Sequence, residues 1–91
     1  MSQWYHQMVF EDGTIEDLKK LNVYESRDHA AASADNFCIG CQAAFDEGKN
    51  EHGKRVAKFR VLRFSDNWCY FETDGQTMIY RPNGPDPEKP K

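Results

Sequence analysis

Residues 3–10 (QWYHQMVF) alternate: Trp4, His6, Met8 and Phe10 fall on one side, Tyr5, Gln7 and Val9 on the other. A period of two predicts a strand. Glu11-Asp12-Gly13-Thr14 follows as a turn whose Asp-Gly pair favours a hairpin. The same stretch could instead cap a short helix through Thr14–Asp17, turning Leu18 and Leu21 inward, and the chain as far as Tyr24 stays open between the two. From Arg27 to Glu47 the period changes. Ala30, Ala34, Phe37, Cys38, Cys41, Ala44 and Phe45 recur at spacings of three and four, which predicts one long helix. Ser26 supplies the hydroxyl that caps it. Gly40 inside it costs about 1 kcal/mol relative to Ala and suits a kink or a close contact.

Beyond the glycine-flanked loop at 48–53, residues 54–64 (KRVAKFRVLRF) predict the strongest strand. Ala57, Phe59 and Val61 share a side opposite Lys58 and Arg60. Leu62 and Phe64 then fall with the cations, so either a bulge resets the parity or the second side is partly covered. Residues 68–73 (WCYFET) and 77–81 (TMIYR), separated by Asp74-Gly75, complete a meander. The expectation is a single α+β domain over residues 1–81. It has an antiparallel sheet of about four strands, with the helix packed on one face, in the order strand, helix, three-stranded meander. Residues 82–91, with four prolines, read as a flexible tail.

Composition adds three constraints. The chain of 91 residues suits one modest core, and its 13% aromatic content can fill it. The N-terminus lacks the basic start and apolar run of a signal peptide, and the odd count of three cysteines fits reduced thiols, so a cytosolic protein is expected. The net charge of −3 conceals a split. Residues 1–48 carry nine acidic and three basic side chains, and residues 49–81 seven basic and four acidic. One acidic and one basic face can result.

Candidate chemistry begins with the pair Cys38-x-x-Cys41. A redox pair places its first thiol at a helix N-terminus; here about ten helical residues precede it. A Cys3His zinc set of Cys38, Cys41, His52 and Cys69 matches no common finger or ribbon spacing. His29 lies two to three turns from either helical thiol, too far to activate one. No phosphate loop, nucleophile elbow or HExxH is present. These features argue against an enzyme and call for no cofactor, metal or small-molecule substrate. A small CxxC zinc or redox module stands as the alternative.

Binding is the better expectation. Lys54, Arg55, Lys58, Arg60 and Arg63 lie on or beside one strand, with Trp68 and Tyr70 on the next, a pattern able to neutralise phosphates and stack bases. With a pI near 5.5, autonomous binding to free duplex is not expected. On the helix, Asp28, Asp35 and Asn36, with Arg27 and Ser33 nearby, could engage a basic groove on a partner protein.

The run SRDHAAASADNFCIGC and the hairpin pair RVLRFSDNWCYFETDGQTMIYR give a layout that resembles small phage-encoded anti-CRISPR proteins, in particular inhibitors of the type I-F surveillance complex. The likeness covers about residues 1–81 and carries no diagnostic motif. It implies stoichiometric obstruction in the host cytoplasm. The inhibitor would dock on Cas subunits of a crRNA-bound complex, with contact to crRNA, and block target DNA binding or hybridisation. No family site residue carries over, so the candidate residues above rest on charge pattern alone.

Overall fold

The computed structural model describes residues 2–88. Among them are six strands and one helix: β1 (Trp4–Phe10), β2 (Ile15–Asp17), β3 (Val23–Tyr24), α1 (Arg27–Asp46), β4 (Val56–Arg63), β5 (Cys69–Thr73) and β6 (Met78–Tyr80). All pairings are antiparallel. The order is β2-β1-β4-β5-β6, and β3 also pairs with β1. The α+β class is as expected, but the sheet has six strands rather than about four. The extra two come from the segment left open above.

That segment takes the hairpin alternative. Gly13 adopts φ +89°, and the Asp12 carboxylate accepts bonds from the Thr14 amide (3.0 Å) and hydroxyl (2.7 Å). This closes the turn and feeds β2 back along β1. The Leu18 amide donates to the His6 carbonyl at 3.0 Å, extending the ladder, and a turn at Leu18–Asn22 then interrupts it. β3 resumes on the same edge opposite Trp4 and Tyr5. Backbone pairing along a free edge, not side-chain periodicity, holds this stretch.

Helix α1 begins where Ser26 accepts the His29 amide at 3.2 Å, and its C-cap is Glu47. Its buried residues are Ala30, Ala31, Ala34 and Cys38. Side chains this short let the helix axis approach the sheet. The space is filled from below by Trp4, Met8, Phe10, Val56, Phe59, Val61, Tyr70 and Phe71. Each large side chain so buried contributes about 1.5–3 kcal/mol.

Two register shifts explain the parity of β4. Between Val9 and Phe10 the partner moves from Lys58 to Val56, so Ala57 bulges and Val56 enters the core in its place. A second shift lies on β5, where Leu62 pairs with Cys69 and Val61 with Phe71, leaving Tyr70 as the extra residue. Leu62 therefore stays on the cation side, in a small second cluster with Tyr5 and Cys69. Phe64 packs edge-on to Tyr5 at 5.9 Å, with the Lys19 ammonium over both rings. The second sheet face is thus covered at one end and open at the other.

Arg63 remains on the helix side and is 97% buried (3% exposed). Its guanidinium binds both Asp66 carboxylate oxygens (2.9 and 2.6 Å) and Asp86 (2.7 Å), with the Trp4 and Trp68 rings 5.9 and 5.2 Å away. Asp86 belongs to the proline-rich segment expected as a tail. Residues 89–91 of that segment lie outside the described residues.

Candidate partner-binding site

The basic residues of β4 are not gathered into one patch. Arg63 is enclosed as above, and its carboxylate partners hold its pKa above the ordinary guanidinium value. Lys58 (3.2 Å) and Arg60 (2.9 Å) lie on the open sheet face, where both bind Glu72 of β5. One carboxylate between two cations leaves a net of about one positive charge there. Lys54 pairs with Asp12 at 3.4 Å and donates to the Thr14 hydroxyl at 3.0 Å. Arg55 bridges Asp46 (3.2 Å) and Glu11 (3.5 Å), and the Asp46 bond raises its pKa. Trp68 and Tyr70, expected as stacking platforms, are buried in the core. The sequence shows the cations but not Glu72 and Asp66, whose roles depend on strand pairing and the β4–β5 turn.

The acidic helix positions and Asn36 do come together. Asp28, Asp35 and Asn36 line one wall of a groove of about 370 Å³ between α1 and the far side of the sheet. Phe71, Met78 and Tyr80 line it from β5 and β6. Asp28 accepts the Tyr70 hydroxyl at 3.2 Å, and Asp35 accepts the Thr73 hydroxyl at 2.8 Å. Each carboxylate is oriented by one bond and has acceptor capacity left for a cation. Arg27 turns back over the Tyr70 ring at 5.0 Å and lies 4.0 Å from Asp28. Ser33 is half-buried and does not line the groove. Met78 and Tyr80 were missed as site residues. The signal for them was a strand without a single charge.

The thiols are placed for packing. Cys38 is fully buried and donates to the Thr73 carbonyl at 3.6 Å. Burial pushes its pKa up to about 11 and also raises those of Cys41 and Cys69. A raised thiol pKa opposes the thiolate that redox or metal chemistry needs. Cys69 sits in the second cluster, across the sheet from Cys38. Among the described residues no group of three His, Cys, Asp or Glu side chains is arranged to hold a metal ion.

A smaller recess of about 210 Å³ is lined by Met8, Leu18, Phe37, Phe59, Cys41 and His6, together with Glu16 and His52, which lie 3.6 Å apart. The His6 Nε2–H donates to the Ala30 carbonyl at 2.9 Å, and burial lowers its pKa. A neutral imidazole committed to a helix carbonyl ties β1 to α1.

No known protein family, curated protein or solved structure matches this chain. No helix among the described residues is long and apolar enough to cross a membrane.

Proposed function

We propose that this chain is a non-catalytic binding protein that acts by occlusion, and that its target is a crRNA-guided Cas surveillance complex, as the layout resemblance implies. The observation that carries the binding mode is the groove in which Asp28, Asp35 and Asn36 stand over Met78 and Tyr80. Carboxylates beside exposed apolar side chains suit a basic protein surface of the kind that holds a nucleic-acid backbone, and would compete with phosphate for its Arg and Lys. The β4 cations contribute less than their number suggests, because most are already paired within the chain.

The test is a double substitution, Asp28→Lys with Asn36→Lys. Asp35 is spared because Thr73 depends on it. Binding to purified crRNA-loaded complex, and target DNA hybridisation by that complex, are measured beside the circular dichroism spectrum. A loss of affinity of about tenfold or more, roughly 1.4 kcal/mol, with the spectrum intact is expected. Undiminished inhibition by the variant would remove the acidic groove. Failure of the wild-type chain to bind the complex would remove the Cas target.

A further inference from the structure

The two edges of the sheet differ in chemistry. On one side, β2 carries Glu16 and Asp17 in three residues and is broken from β3 by a turn. Charge and interruption are the usual protection of an edge against pairing with another strand. On the other side, β6 is Met78-Ile79-Tyr80, with no charge, proline or bulge. All three side chains are about half exposed, at 54%, 49% and 54%.

The hydrogen bonding of β6 fixes which backbone groups are free. The Asp74 amide donates to the Thr77 carbonyl and the Arg81 amide to the Tyr70 carbonyl. With Glu72 opposite Ile79, antiparallel alternation turns the polar groups of Ile79 toward β5. Those of Met78 and Tyr80 then point out of the sheet, and no hydrogen bond from them to a described side chain or loop is formed.

We propose that β6 pairs with β6 of a second copy of this chain, antiparallel about a two-fold axis through Ile79, joining two sheets into one. In this register Met78 of one chain and the partner's Tyr80 exchange both backbone bonds, on each side of the axis. The two Ile79 residues form the non-hydrogen-bonded central pair, with Cα atoms about 4.5 Å apart. On the helix side Met78 and Tyr80 meet across the seam, and on the opposite side Ile79 meets its symmetry mate, so every cross-strand pair is apolar. An isologous interface requires this self-complementarity. The side chains would bury at most about 300 Å² per chain, since each is only half exposed, below the roughly 800 Å² of a standard stable interface, so the dimer is weak and reversible. The pairing draws on Met78 and Tyr80, which also line the acidic groove, and it sets two such grooves on the same side of one sheet.

Sedimentation velocity on the full chain, from about 10 µM to about 1 mM, tests it. The wild type is expected to shift from monomer toward dimer over that range. Two variants should stay monomeric throughout. Ile79→Asp opposes two carboxylates at the axis. Met78→Pro removes an outward amide while leaving the bonds to β5 in place. Both substitutions fall at exposed positions, and circular dichroism confirms that the fold is kept. A wild type monomeric at 1 mM would overturn the proposal, including the case where β6 instead accepts a strand of a different protein. A dimer that survives both substitutions would place the contact on another face and overturn it equally.

Discussion

Replacing Arg63 with Met should be the most damaging single change of a charged side chain in this fold. The guanidinium is 3% exposed and binds Asp66 through two bonds and Asp86 through one, all between 2.6 and 2.9 Å. Met fills the space against the Trp4 and Trp68 rings and keeps a sulfur–aromatic contact, so packing changes little. What is lost is the counter-charge. Removing one partner of a buried ion pair costs about 3–5 kcal/mol, because the remaining carboxylate stays desolvated. Asp66 loses both of its bonds to Arg63 and Asp86, with a side chain 10% exposed, loses one. A domain of this length has roughly 5–13 kcal/mol in total, so the loss removes a large fraction of it. The melting temperature should fall by about 12 °C or more, at 4–8 °C per kcal/mol. Urea unfolding followed by tryptophan fluorescence gives the free energy, and Arg63→Lys should recover part of it, since Lys keeps the charge and loses the planar fork. Arg63 also holds the Asp66 pKa below the ordinary range. The stability from that pair is full above the unfolded-state value and is lost as pH falls through the lowered folded one. Arg63→Met within about 1 kcal/mol of wild type would show that the cluster does not anchor residues 82–88, and the reasoning would fail.

Other expectations rest on separate contacts. His6 is buried neutral, so the unfolded chain takes up a proton there before the folded chain does. Stability should decline as pH drops below about 6.5 toward the lowered folded pKa; His6→Gln should flatten that part of the profile in urea titrations at several pH values. In the native state Cys41, the half-buried thiol, should be alkylated first, with Cys38 and Cys69 at least about a hundredfold slower until denaturant is added. Mass spectrometry of time points reads this, and equal rates would contradict the burial. Gly75 has φ +90°, and a Cβ there would stand 2.6 Å from the Gln42 side-chain oxygen. Gly75→Ala should cost about 1–3 kcal/mol, by backbone strain and by displacing the Gln42 amide from the Val56 and Asp74 carbonyls; a thermal melt unchanged from wild type would count against the assignment.

Much of this fold was legible in the chain because its signals are local. Period-two alternation marked β1, and three-and-four spacing behind Ser26 marked α1. Asp-Gly pairs marked two turns, and Ala30, Ala34 and Cys38 marked the buried helix stripe. The polar positions Asp28, Asp35 and Asn36 were also visible, since helical spacing alone sets them on neighbouring surface. Other features required the assembled sheet. β2 and β3 exist because β1 had a free edge to offer, not because residues 15–24 favour strands. The five cations near β4 looked like one basic patch. Strand pairing gave Lys58 and Arg60 a shared Glu72, loop packing gave Lys54 and Arg55 their own carboxylates, and the edge-on pair of Trp4 and Trp68 covered Arg63. Sequence determined which residues carry charge and which segments are periodic, because both are properties of neighbours along the chain. Only the tertiary structure decided which charges are neutralised and which edge stays open, because both depend on what lies across a strand pair.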